Sequence, residues 1–155
     1  MLLLGLGSNT GDRKQMLTAA IILAGEIIGE VAAISNIYET EPEGFDSPRD
    51  FLNAAIAVET ELPPPEILAR TQAIEREMGR KRTKSKTYED RPIDIDILFY
   101  NDLILHSKNL RIPHPLAHTR RFVLEPLADI APDFLHPELQ QSIAELLENV
   151  KNSRS

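Results

Sequence analysis

Two aspartates set two residues apart, Asp94 and Asp96, lie inside the run Arg91-Pro92-Ile93-Asp94-Ile95-Asp96-Ile97-Leu98. In a strand, alternate residues share a face, so both carboxylates project together while Ile93, Ile95 and Ile97 pack behind. Positions two apart are separated by about 6.5–7 Å along the backbone. Their carboxylates can converge on one metal ion or bridge a pair about 3.5–4 Å apart. Oxygen ligands with few protein donors suit Mg2+, which completes its octahedron with water and substrate phosphates. A half-buried strand that simply shows aspartate to solvent gives the same alternation. Against that, aspartate is a poor strand former.

Charge is unevenly spread. The net charge is −7, yet six of the 17 basic residues, Arg80, Lys81, Arg82, Lys84, Lys86 and Arg91, fall in one short stretch. An acidic chain lacks the basic footprint that nucleic-acid binding wants. A dense cationic island on such a chain suits a small polyanion, although a solvated loop has the same composition. Just upstream, Gln72 and Glu75 share a helix face. They could hydrogen-bond a nucleoside while Arg82 and Arg91 reach its phosphates bidentately; an ordinary polar helix face reads the same way. His114 stands between Pro113 and Pro115, held where it could donate to phosphate or ribose. His114 and His118 lack the glutamate of a zinc-protease helix, and Pro115 interrupts the spacing. The segment from Gly5 to Gly11 lacks the Lys-Ser/Thr ending of a Walker A loop. It also has Thr10 where a dinucleotide fingerprint needs glycine, so it reads as a tight strand-to-helix turn.

The elements that must position these groups follow from periodicity. Residues 2–7 read as a buried strand, and Asp12 as the N-cap of a helix marked by Met16, Leu17, Ala20, Ile21 and Ala24. Strands are predicted over 31–40 and 51–60, separated by a loop containing Pro42, Gly44 and Pro48. Three prolines at 63–65 introduce a helix over 66–78, closed by Gly79. A strand over 93–100 turns at Asn101-Asp102 into a hairpin partner at 103–106, and an amphipathic helix covers 142–150. The order βαββαβ predicts an α+β, ferredoxin-like core with a mainly antiparallel sheet, helices packed on it and an extra hairpin. At 155 residues one domain over 1–155 is expected. With no cysteine, disulfides and thiol chemistry are excluded. The N-terminal apolar stretch is too short for a signal peptide and no run spans a bilayer, so a cytoplasmic protein without a membrane partner is expected.

These residues assemble into a family pattern. Residues 5–9 (GLGSN), 38–44 (YETEPEG), 51–55 (FLNAA), 72–82, 91–98 (RPIDIDIL) and 112–115 (IPHP) together resemble the 6-hydroxymethyl-7,8-dihydropterin pyrophosphokinases. The likeness runs along nearly the whole chain and implies the single-function form, a monomeric enzyme of folate biosynthesis. It implies that Asp94 and Asp96 hold two Mg2+ ions, and that Arg82, Arg91 and Asp96 are catalytic. Leu68, Gln72, Glu75, Arg82, Arg91, Ile97, His114 and Arg120 would surround ATP. Thr40, Pro42, Phe51, Asn53, Tyr88 and Phe122 would form the pterin pocket, Asn53 reading the ring edge and Phe122 stacking on its face. The implied reaction is attack of the hydroxymethyl oxygen on the β-phosphorus of ATP, releasing AMP, under a lid formed by residues 80–90. Two departures stand out. Tyr88-Glu89-Asp90 replaces a common Trp-Gly-Pro and adds acids near the phosphates. Asn109 replaces a frequent arginine, with Arg111 two residues on. The rivals are a non-catalytic ferredoxin-like regulatory module and a metal-dependent phosphohydrolase.

Overall fold

The structure, a computed structural model, describes residues 1–40, 50–79 and 92–153. Its centre is β1 (Leu2–Ser8), apolar on both sides: Leu2, Leu4 and Leu6 enter one core and Leu3 the other. A strand buried on both faces must lie between neighbours, and β1 pairs antiparallel with β4 (Phe51–Glu59) and β5 (Asp94–Tyr100). β2 (Glu30–Ile34) and β3 (Tyr38–Thr40) both pair with β4, giving the sheet order β2-β4-β1-β5 with β3 off that path. Helices α1 (Arg13–Ile27) and α2 (Pro64–Gly79) cover the face of Leu2, Leu4 and Leu6. Helices α3 (Arg121–Ile130) and α4 (Ile143–Ser153) cover the other, over Leu3, Ala55, Ala57 and Phe99. The ferredoxin-like α+β expectation is borne out, with a helical layer on each face.

Local signals set the helix starts. The Asp12 side chain accepts the Gln15 amide at 3.2 Å, as its N-cap assignment requires. Ser142 and Glu145 exchange hydrogen bonds at 2.8 and 3.1 Å, a capping box at the entrance to α4.

Two expectations need correction. The strand expected over 31–40 is two strands. At Ser35 the hydroxyl accepts the Ala55 amide at 2.8 Å while the Ser35 amide donates to the Ala55 carbonyl at 2.9 Å. Tyr38 then pairs with Asn53, so Asn36 and Ile37 together face Ala54 alone. That extra residue breaks the ladder. The turn at Asn101-Asp102 is present, with Asn101 at φ 51° and the Leu103 amide on the Tyr100 carbonyl at 3.0 Å. The segment beyond it does not pair with β5. Instead β6 (Leu105–His106) pairs with β7 (Arg111–Ile112). The outer edge of β5 has other partners: Glu75 accepts the Ile95 amide at 2.8 Å and the His114 amide donates to the Leu98 carbonyl at 2.9 Å.

The α3–α4 core includes a titratable group. His136 is 3 % exposed, edge-on to Phe99 at 5.4 Å and to His118 at 5.9 Å. Its Nδ1 accepts the amides of Glu138 and Leu139, an arrangement only the neutral ring can make. Burial, then His118, push its pKa below the ordinary value, with Glu138 opposing. The unfolded chain therefore binds the proton more readily. The stability contribution is full above the unfolded pKa of about 6.5 and is lost as pH falls from there to the native pKa. Urea midpoints measured from pH 8 to 5 should decline below that point. The decline should be shallower in His136→Asn, which keeps an acceptor and removes the titration; superimposable profiles would reject this.

Candidate active site

On β5 the burial alternates as expected: Ile95 and Ile97 are buried, and Asp94 and Asp96 are half-buried on the opposite face. The register places Asp94 and Asp96 beside Gly7 and Gly5 of β1, and those glycines beside Asn53 and Ala55 of β4. Asp94, Gly7 and Asn53 thus form one row across the sheet. At both glycines a side chain would intrude. A Cβ on Gly7 would lie 3.2 Å from Asn53 Oδ1 and 3.4 Å from Phe51, and one on Gly5 would lie 3.2 Å from Leu98. Between the carboxylates and Asn53, β1 therefore contributes a floor without side chains of its own, onto which Leu98, Asn53 and Phe51 lean. A register shift at Leu3/Leu4 turns both Leu98 and Phe99 into the α3–α4 core, so β5 ends in apolar packing directly beyond its aspartates.

The Asn53 amide is 6 % exposed and donates to Thr40 Oγ1 at 2.6 Å. That bond fixes the amide while leaving its carbonyl oxygen toward Gly7. Phe51 and Phe122 are half-buried, and the Arg120 guanidinium lies 5.5 Å from the Phe122 ring centroid, within cation–π range.

On the outer side of β5 is a cleft of about 310 Å3. Leu68 of α2, Asp96 and Ile97 of β5, and His114 line it, which brings three members of the expected ATP set together with one of the expected metal ligands. Gln72, one turn beyond Leu68, is exposed, and Glu75 binds the β5 backbone. The Leu116 amide donates to His114 Nδ1 at 3.1 Å, which leaves the proton of a neutral ring on Nε2. Burial, then Arg120, hold the His114 pKa below its ordinary value, with Asp94 opposing. His114 is therefore a neutral donor near pH 7, set between a cation and a carboxylate. Lys108, Leu110 and Arg111 also line the cleft. Lys108 and Leu110 carry no ligand-binding signal in the sequence beyond their place just before the Ile112–Pro115 segment, and Arg111 only its position two residues after Asn109. Pro42, Arg82, Tyr88, Arg91 and the expected lid lie outside the described residues.

Residues 3–132 match the family profile described as 7,8-dihydro-6-hydroxymethylpterin-pyrophosphokinase. The 2-amino-4-hydroxy-6-hydroxymethyldihydropteridine pyrophosphokinase of Porphyromonas gingivalis is 50% identical over 137 residues, 87% of this chain and 92% of that one. The enzyme of the same name from Aquifex aeolicus is 39% identical over 142 residues, covering 92% of this chain and 87% of its own. Among solved structures, an HPPK-DHPS in complex with substrates superposes with a TM-score of 0.79 at 18% identity, over 99% of this chain and 44% of that one. Plasmodium falciparum HPPK-DHPS superposes at 0.77 and 20% identity, over 96% and 43%. This chain spans less than half of those two, and at such identity the likeness shows the fold. From the profile and the two bacterial relatives, the chain belongs to the 7,8-dihydro-6-hydroxymethylpterin-pyrophosphokinase family.

Proposed function

We propose that this chain transfers pyrophosphate from MgATP to the hydroxymethyl oxygen of 6-hydroxymethyl-7,8-dihydropterin, giving the pterin diphosphate and AMP in folate biosynthesis. The observation that carries the reading is the shared row of Asp94, Gly7 and Asn53, with the Leu68–Ile97–His114 cleft at its β5 end. A row of that kind gives one flat acceptor and one nucleotide a common meeting point beside two carboxylates. Family membership leaves no support for the regulatory-module or phosphohydrolase readings.

The residues fit Mg2+. Asp94 and Asp96 supply hard oxygen donors on one face of β5, beside glycines that put no β1 side chain between them and Asn53. Among the described residues no three or more His, Cys, Asp or Glu side chains form a metal-ligand group. In this reading Asp94 and Asp96 would hold two Mg2+ ions beside the ATP phosphates. Bound Mg2+ supplies charge neutralisation on the phosphates and alignment of the β-phosphorus with the acceptor. Leu68 and Ile97 clamp the adenine, Gln72 and Glu75 flank the nucleoside, and His114 donates from Nε2. Arg120, Arg82 and Arg91 meet phosphate charge bidentately. Asn53, fixed by Thr40, gives the pterin edge an acceptor and a donor, with Pro42, Phe51, Tyr88 and Phe122 around the ring. The acceptor oxygen bonds to the β-phosphorus as the bond from that phosphorus to the α,β-bridging oxygen breaks. AMP leaves with the bridging oxygen, and the hydroxyl proton is released. Catalysis is chiefly positioning and electrostatics. In this reading residues 1–155 act as one pyrophosphokinase domain, a cytoplasmic monomer; no helix among the described residues is long and apolar enough to cross a membrane.

Protein mixed with MgATP and the hydroxymethyl pterin should yield AMP and pterin diphosphate in equal amounts. ATP loss at the same rate without pterin would overturn the reading. Asp94→Ala and Asp96→Ala should each remain folded and lose several kcal/mol of transition-state stabilisation, a rate loss of at least about a thousandfold. Near-normal Mg2+-dependent turnover in either would remove that aspartate from the metal site.

Gly7→Ala tests the acceptor side. Its Cβ pushes on Asn53 Oδ1 and Phe51, so pterin affinity should fall roughly tenfold, about 1.4 kcal/mol. An ATP analogue should bind as before. Unchanged pterin affinity by calorimetry would displace the ring from this floor.

A further inference from the structure

Asp129, two turns along α3 from Phe122, is an exposed residue whose carboxylate is nevertheless fully engaged. The Tyr38 hydroxyl donates to it at 2.9 Å from each oxygen, and the Asn36 amide donates at 3.1 Å. None of the roles assigned to the site involves it. From this contact we infer that Asp129 and Tyr38 are positioning residues for the pterin pocket. Together they clamp α3, which carries Phe122, against the β3–β4 edge that carries Thr40 and Asn53, and so set the width of the slot the ring enters. The inference rests on the pterin pocket being where the preceding section puts it.

Three features of the fold support this. Tyr38 is the direct cross-strand neighbour of Asn53, and Thr40, next on its face, is the residue that holds the Asn53 amide. A shift of Tyr38 is thus passed to the group that reads the ring. Next, Phe122 and Asp129 are seven residues apart on one helix, so they share a face about 10 Å apart; Pro126 between them gives up one helical bond, and the buried Leu124 and Leu127 hold the helix on either side of it. Fixing Asp129 fixes the height of Phe122. Finally, β3 is only three residues long and lies off the main strand path. The bulge at Asn36 and Ile37 frees the Asn36 amide from the ladder, and Asp129 takes it up. The start of β3 is therefore located by the helix as well as by the sheet. Charge-assisted bonds of this kind are directional. The Tyr38 pKa is raised, by burial first and then by Asp129, so its hydroxyl keeps the proton it donates.

A surface tether that merely adds stability predicts a different pattern of losses. Tyr38→Phe, Asp129→Ala and the double variant are compared by calorimetric binding of the pterin (with an ATP analogue saturating), binding of the ATP analogue alone, Tm, and the split between KM and kcat. Each single variant should weaken pterin binding by about tenfold with a matching rise in pterin KM. ATP-analogue affinity and kcat at saturating pterin should stay within about twofold, and the double variant should be no worse than either single. Asp129→Asn, which keeps an acceptor for Tyr38, should restore most of the loss. Pterin affinity within twofold of the parent in both single variants, or losses that follow Tm equally for both ligands, would overturn the clamp. Asn53→Leu separates this from failure of the pocket itself. If Asn53→Leu abolishes pterin binding while Tyr38→Phe binds normally, the clamp alone is wrong. If Asn53→Leu binds pterin normally, pocket and clamp fall together.

Discussion

Beyond Leu3, β1 offers no side chain to the α3 side of the sheet: Gly5 and Gly7 occupy the positions where alternation would place one. Everything the site does depends on that bare strip. β1 is the middle strand, so the strip separates the aspartates of β5 from Asn53 of β4 by one strand on each side. Neighbouring strands lie about 4.8 Å apart, so the carboxylates and the amide stand roughly 10 Å from each other across a floor to which β1 adds no side chain. That is the scale of a bicyclic ring with a one-carbon arm. A side chain at either glycine would press on Leu98 of the core or on Asn53 and Phe51. The constraint is steric.

The same face does two jobs along its length. At one end Leu3, Ala57, Leu98 and Phe99 are sealed under α3 and α4. At the other, the residues are polar and half-open. Helix α3 bridges both regimes, since Leu124 and Leu127 are buried in the core while Phe122 is only partly covered. The orientation of Phe122 is therefore set by apolar packing a turn away. Burying a leucine contributes about 1.5–3 kcal/mol, more than most surface contacts supply, and it holds the helix at a fixed height above the floor.

What could be read from sequence followed physical period. The isoleucine–aspartate alternation of β5 is a direct print of the pleat, and Asp12 marks a helix start through short-range bonding rules. The break at Ser35 left no such print. A hydroxyl standing in for a backbone acceptor does not interrupt the pattern of apolar residues, so 31–40 looked continuous. The β6–β7 pairing was hidden for another reason: the edge of β5 is taken by Glu75 and by the His114 amide, contacts distant in sequence. Lys108 and Arg111 reach the cleft by chain reversal, and Asp129 meets Tyr38 across 91 residues. Periodicity carries no information about either. For Pro42, Arg82, Tyr88 and Arg91 the family pattern is the sole guide.

The partners of the β5 edge have a bearing on solubility. The run Ile95-Asp96-Ile97-Leu98-Phe99-Tyr100 is rich in β-forming apolar residues, and among the described residues β5 ends the sheet with no strand beyond it. An open edge of that composition is a template for pairing with another chain. Glu75 and the His114 amide occupy one donor and one acceptor of that edge. Asp94 and Asp96 put like charges on one face and resist in-register stacking of copies. Neutralising both, or removing Glu75, therefore carries a hazard apart from lost chemistry: a folded but self-associating protein.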